Sequence, residues 1–275
     1  MTTDAIQEAV TAALAEDVGT GDVTTEATVP AEAVGTAEIL LKEPGVICGL
    51  AVAEATFRAL DEDVRFDALV DDGEVVTDVP APVATVTGAE RAILTGERVA
   101  LNFLGRLSGI ATLTKRYSDA LAGTRAAVLD TRKTTPGLRA LEKYAVACGG
   151  GKNHRFGLDD AVLVKDNHLR AAGSITLAVE RVRELSDLPV EVECESLDQV
   201  GEALTAGVEA ILLDNMSLDG LRSAVALAGG RARLEASGGI TLDNIRAVAE
   251  TGVDEISVGA LTHSARSLDV SLELR

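Results

Sequence analysis

Between Asp130 and His168 the chain reads DTRKTTPGLRALEKYAVACGGGKNHRFGLDDAVLVKDNH. Seven cations fall in these 39 residues: Arg132, Lys133, Arg139, Lys143, Lys152, Arg155 and Lys165. Five carboxylates accompany them, so the segment carries about +2 in a protein of net charge -19. Cations kept together in an acidic protein suggest an anionic ligand; the plain alternative is a set of surface charges paired with nearby acids. Further along, Glu191, Glu193 and Glu195 alternate, and Asp214-Asn215 follows them. Such acids suit sugar hydroxyls, a hydrated Mg²⁺ or a developing cationic centre, or else form a solvated acidic face. Ser237-Gly238-Gly239 and Gly259-Ala260, with Thr262-His263-Ser264 just beyond, fit a phosphate, because glycine turns let backbone N–H groups approach its oxygens. Two tight turns would give the same letters. His154, His168 and His263 suit either anion binding or a satisfied structural role, and Lys165 is also placed as a Schiff-base lysine would be.

These residues need a scaffold that brings them to one side. Short apolar runs at 126–130, 161–165, 190–194, 210–214, 232–236 and 255–258 read as strands, with helices in the gaps, which predicts a parallel sheet. The chemistry-bearing residues stand at or past the carboxyl ends of these strands, where a parallel α/β fold builds its site. Six such units are too few for an eight-stranded barrel; a doubly wound sheet and an incomplete barrel both fit. The first half differs. A helix is expected over 4–16 with Asp4 as N-cap, then short β runs at 37–41 and 46–48, a helix over 50–60, and strands at 64–70 and 82–87. Residues 90–121 form one long helical pattern or two abutting helices, with Gly105 and Gly109 marking a close contact or a break. The boundary is expected near 108, giving a first domain over 1–108 and a second over 109–265. The alternation at 268–274 suggests an edge strand returning to the first module.

Composition narrows the function. Hydrophobic residues make up 47% but aromatics only 2%, so the core must be aliphatic. No apolar run reaches the roughly 18 residues of a membrane span, and the acidic, amphipathic N-terminus is unlike a cationic signal peptide. Net charge of -19 argues against nucleic acid as a partner. Three cysteines without metal spacing (Cys48, Cys148, Cys194) fit free thiols in a reducing cytoplasm. Nineteen arginines against six lysines, with 44 acids, suggest adaptation to high salt.

Several motifs together resemble the quinolinate phosphoribosyltransferase family: Glu97-Arg98, Leu101-Asn102, Leu107 to Thr112, Asp130-Thr131-Arg132-Lys133-Thr134, Asn153-His154-Arg155, Lys165-Asp166-Asn167-His168, Leu212-Leu213-Asp214-Asn215, Ser237-Gly238-Gly239 and Val258 to His263. They recur in order along essentially the whole chain. The resemblance implies an open α/β sandwich followed by an incomplete, seven-stranded α/β barrel, the seventh strand lying near His154-Arg155-Phe156. It implies homodimers or higher assemblies with shared active sites, and the reaction of quinolinate with phosphoribosyl pyrophosphate and Mg²⁺ to nicotinate mononucleotide, pyrophosphate and CO₂, in NAD biosynthesis.

The resemblance also implies roles. Arg132, His154 and Arg155 would hold the two quinolinate carboxylates, completed by Arg98 from the neighbouring subunit; the arginine fork suits carboxylates. Lys133 and Lys165 would contact substrate anions, and Glu193 and Asp214 the ribose hydroxyls and Mg²⁺. Ser237, Gly238, Gly239, Gly259 and Ala260 would hold the 5′-phosphate, with His263 beside them. Three alternatives stay open: a paralogous transferase with another acceptor (molybdenum-transport-associated or nicotinate-specific), a Schiff-base lyase using Lys165, and a non-catalytic phosphate-binding module.

Overall fold

A threonine, not the expected aspartate, starts the first helix, α1 (Thr3–Val18). Thr2 is extended and its Oγ1 accepts the Ala5 N–H at 3.4 Å; Asp4 instead lies in the first turn, where its charge meets the positive end of the helix dipole. The structure, a computed structural model, describes residues 2–275. Elements follow in the order α2 (Val23–Thr28), β1 (Val34–Leu41), β2 (Gly45–Val46), α3 (Leu50–Leu60), β3 (Arg65–Ala68), β4 (Val75–Val76), β5 (Ala81–Ala89), α4 (Glu90–Ala120), β6 (Ala127–Leu129) and α5 (Arg139–Cys148). Next come β7 (Val162–Val164), α6 (Asp166–Ala172), α7 (Ile175–Leu185), β8 (Val190–Cys194), α8 (Leu197–Ala206), β9 (Ala210–Asp214) and α9 (Leu218–Ala228). The chain closes with β10 (Arg233–Ser237), α10 (Ile245–Ala249), β11 (Glu255–Ser257), α11 (Ala260–His263) and β12 (Val270–Leu274). Helix α2 and strand β4 have no counterpart in the sequence reading, since six and two residues are too few to show a period.

Two compact units share the chain. One comprises the chain up to Lys115, Thr134–Gly150 and Leu261–Arg275; the other comprises Arg116–Lys133 and Gly151–Ala260. In the first, an antiparallel sheet runs β12-β1-β5-β3, so the final strand does return to an edge of this sheet. Its inward residues Ala37, Ile39, Leu41, Val83 and Val86 pack with Phe57 of α3 and Ile93, Leu101 and Leu104 of α4. Helix α4 is unbroken over 31 residues. Its two glycines mark a close approach: a Cβ on Gly105 would lie 2.8 Å from the Leu268 carbonyl oxygen, and one on Gly109 only 2.0 Å from that of Arg266. Helix α3 borrows its cap from across the chain, Asp72 Oδ1 accepting the N–H groups of Gly49 at 2.9 Å and Leu50 at 3.1 Å.

The second unit is a parallel six-stranded sheet in the order β6-β11-β10-β9-β8-β7. Serines cap three of its helices: Ser174, Ser196 and Ser217 accept from Leu177, Gln199 and Gly220. Where the resemblance implies a seventh strand there is a single parallel bridge, Leu129 with Lys152. The reason lies in the next residues. The N–H groups of His154, Arg155, Phe156 and Gly157 go to Asp130 Oδ1, His154 Nδ1, Asp160 Oδ2 and Asp160 Oδ1, so side chains take the donors a ladder would have used.

Candidate active site

Several polar residues of the second unit stand at the carboxyl ends of its strands. Strand β6 runs into buried Asp130 and then Arg132 and Lys133; β7 runs into Lys165. Arg132 Nε is buried with no hydrogen-bond partner among the described residues. Burial, and then the neighbouring charge of Arg132, pulls the Arg155 guanidinium below its ordinary value. Arg155 Nη1 donates to the Ala161 carbonyl at 3.2 Å. The unused buried donor of Arg132, past the carboxyl end of β6, suits an anion, while the Arg155 guanidinium is turned to the residue before β7.

His154 is held from all sides. Its Nε2 lies 3.0 Å from Glu191 Oε2 and 3.3 Å from Glu235 Oε2, both inside the sheet, and its Nδ1 accepts the Arg155 N–H at 2.7 Å. Burial works against protonation of the ring, but the hydrogen bonds and charges of Glu191 and Glu235 outweigh it and raise the pKa to about 10. The proton on Nε2 is the one directed at the two carboxylates. Burial pushes the Glu235 carboxyl up, against the opposing hydrogen bond from His154. His154 and Arg155 line a cavity of about 230 Å³ together with Val162, Val190, Ala210 and Glu255, the last four all at the starts of their strands. It is thus at the end of the sheet away from Lys165, Asp214 and Ser237.

At the carboxyl ends, Lys165 Nζ stands 3.7 Å from Glu193 Oε2. Burial raises Glu193; Lys165 opposes this, and the charge of Asp214 adds to it. Glu193 and Asp214 offer carboxylate oxygens of the kind a divalent cation takes. Asp214 is paired across the ladder with Ser237. Asn215, at φ 53°, donates its N–H to the Ser237 carbonyl at 2.8 Å. Gly238 could be nothing else: its φ is +97°, and a Cβ would lie 2.2 Å from Asn215 Oδ1. At Gly239, φ +63°, a Cβ would meet nothing within 4 Å, so the turn faces open space. Gly259 and Ala260 stand just past β11. His168 caps α6, its Nδ1 accepting the Lys165 N–H at 3.0 Å.

Arg98 and His263 belong to the first unit. Arg98 is exposed on α4, with Glu97 at 3.9 Å, and His263 Nδ1 hydrogen-bonds Ser264 Oγ at 2.7 Å. This unit also holds a buried ion pair that the sequence reading missed. Glu142 Oε1 takes bonds from Arg106 Nη2 at 2.8 Å and Nε at 3.2 Å, and from Thr135 Oγ1 at 2.8 Å, while its Oε2 takes the Thr135 N–H at 3.1 Å. Arg106 further donates to the carbonyls of Thr262 and Ala265.

Comparison with known proteins follows the same arrangement. Residues 22–108 match the model of the quinolinate phosphoribosyl transferase N-terminal domain, and residues 110–273 match that of its C-terminal domain. The chain belongs to the quinolinate phosphoribosyltransferase family. Among curated relatives it is 47% identical to the nicotinate-nucleotide pyrophosphorylase (carboxylating) of Mycobacterium leprae over 98% of both chains. It is 48% identical to the probable enzyme of that name from Synechocystis, over 95% of this chain and 90% of the relative. The crystal structure of NadC from Streptococcus pyogenes superposes with TM-score 0.96 at 44% identity, covering 100% of this chain and 98% of the other. The nicotinate-nucleotide pyrophosphorylase of Francisella tularensis gives the same TM-score at 40% identity, with the same coverage. A quinolinate phosphoribosyltransferase fold thus carries every motif residue of the second unit.

Glu235 was missed in the sequence, although it left a signal: a lone acid in the apolar strand Arg233–Ser237. A carboxylate buried at 1% exposure requires a partner, and a histidine on another element was the candidate to seek.

Proposed function

We propose that this protein transfers the phosphoribosyl group of phosphoribosyl pyrophosphate to quinolinate and releases CO₂, giving nicotinate mononucleotide and pyrophosphate. The observation that carries the reading is Arg132, whose buried Nε has no partner among the described residues and which stands with Lys133 past the carboxyl end of β6, matched to an acceptor with carboxylates. Lys133 and Lys165 supply further positive charge for the substrate anions. His154 acts through Arg155, whose N–H it accepts. The turn at Ser237, Gly238 and Gly239, with Gly259 and Ala260, takes the 5′-phosphate on backbone N–H groups. Glu193 and Asp214 bind the ribose hydroxyls and stabilise the positive charge that grows at the anomeric carbon. The same two would hold Mg²⁺, which supplies charge neutralisation for the departing pyrophosphate.

The pyridine nitrogen then forms its bond to the anomeric carbon as the bond to pyrophosphate breaks. The nitrogen becomes cationic, so the adjacent carbon–carboxylate bond can break with its electron pair left beside positive charge. A proton replaces CO₂ on that carbon. No covalent nucleophile from the protein is needed; its residues position the groups and screen charge.

We further propose a cytoplasmic homodimer or higher assembly in which Arg98 of one subunit reaches the site of the next; its exposure on α4 supports this. The test of the acceptor reading is Arg132→Ala. Losing one arginine–carboxylate contact, at about 1.5–3 kcal/mol for each bond to a charged group, should weaken quinolinate binding tenfold to a hundredfold and leave phosphoribosyl pyrophosphate within about threefold. Equal losses for both ligands in a titration would contradict the assignment.

A further inference from the structure

The chemistry above uses no thiol, yet two of the three cysteines meet in the first unit. Cys48 lies two residues past β2 and is fully buried; Cys148 is the last residue of α5 and half-buried. Their sulfurs and a carboxylate oxygen of Asp72 lie within 4.8 Å of one another. Cys48 is fixed by its backbone, which donates to Ser108 Oγ at 2.9 Å and accepts from it at 3.2 Å.

Such a trio is also what a soft metal ion would choose, but the carboxylate is already in use. Asp72 Oδ1 holds the first N–H groups of α3, and Oδ2 accepts the Tyr144 hydroxyl at 3.0 Å. A metal would have to displace the cap of α3 and would still find only two thiolates. Thiol–thiol chemistry needs no such displacement.

We propose that Cys48 and Cys148 are a redox-active pair that closes to a reversible disulfide, Cys148 attacking first and Cys48 resolving. With a peroxide as oxidant, the Cys148 thiolate attacks one oxygen, the O–O bond breaks, a sulfenic acid forms and water or an alcohol leaves. The Cys48 sulfur then attacks the Cys148 sulfur; the S–O bond breaks, the S–S bond forms, and water leaves with the thiol proton. The two thiols lose two electrons and the peroxide gains them; a dithiol reductant reverses the change. Access favours this order, since only Cys148 is partly open to solvent. So does acidity: the hydrogen bond from Cys48 lowers the Cys148 thiol, although burial and Asp72 oppose it, whereas that bond and burial push Cys48 up. Cys194, buried in β8 and raised to about 12 mainly by burial, is an internal control that should stay inert. The bond would tie the turn before α3 to the end of α5, next to Gly149, Gly150 and Gly151.

The test is to treat the full-length protein with one to a few equivalents of hydrogen peroxide, alkylate, digest and map by mass spectrometry. The expected product is a single cystine peptide joining Cys48 to Cys148, a mass loss of about 2 Da reversed by dithiothreitol, with Cys194 alkylated only after unfolding. Cys48→Ser should instead accumulate a sulfenic acid at Cys148 that a dimedone probe captures. Both thiols remaining alkylatable, a cystine that includes Cys194, or over-oxidation of Cys148 beside a reduced Cys48 would each overturn the proposal. The wild-type map decides by itself if the variant does not fold.

Discussion

Replacing Glu142 by alanine should be among the more damaging single changes outside the aliphatic core. The carboxylate is fully buried and takes four hydrogen bonds, two from Arg106 and two from Thr135. Breaking a buried ion pair by removing one partner costs about 3–5 kcal/mol, because the other charge is left behind. Arg106 here keeps 24% of its side chain exposed and retains two carbonyl acceptors, which places the change near the lower limit, about 3 kcal/mol. For a chain of this size that is a fall of about 6–10 °C in melting temperature. Urea unfolding and thermal melts followed by circular dichroism would measure it. The paired change Arg106→Met with Glu142→Leu leaves no orphan charge and should cost less than Glu142→Ala alone. A Glu142→Ala protein within about 1 kcal/mol of wild type, or a double mutant as costly as the two single changes combined, would refute the reasoning.

Other consequences follow from the same geometry. Asp160 accepts the N–H groups of Phe156 and Gly157, and the first of these bonds chiefly holds its carboxyl below the usual range. Its contribution to stability should be complete above the unfolded value near pH 4 and lost as pH falls through the lower folded value. Asp160→Asn should therefore differ from wild type at pH 7 and converge with it near pH 2 in urea titrations; a constant difference would contradict this. If sites are shared between subunits, inactive Arg98→Ala mixed with inactive Lys133→Ala should regain part of the activity. No recovery despite proven subunit exchange would count against sharing.

The legible parts of this fold were those with a long period or a residue type that burial forbids. Helix α3 and strands β8 and β9 stand where their apolar spacing put them, and Gly105 and Gly109 in α4 flagged a contact, now seen with the Leu268 and Arg266 carbonyls. What stayed hidden depends on side chains meeting across the chain. Thr2, Thr3 and Asp4 are all cap-forming types, and spacing alone does not separate them. The seventh strand that the resemblance implies near His154 is reduced to one bridge at Lys152, because Asp130 and Asp160 take the N–H groups of His154, Phe156 and Gly157. Likewise the cation count between Asp130 and His168 grouped Lys143 with the other six cations, although it is 1% exposed. The direction of the His154 ring, toward Glu191 and Glu235, could not be read from spacing, because those acids lie on two different strands.

The central claim is the identity of the acceptor. The most direct test incubates the protein with Mg²⁺, phosphoribosyl pyrophosphate and either quinolinate or nicotinate, and follows nucleotide and CO₂ release. Nicotinate mononucleotide with one equivalent of CO₂ from quinolinate, and none from nicotinate, is the predicted result. Product from nicotinate alone, or from neither in folded protein, would contradict it.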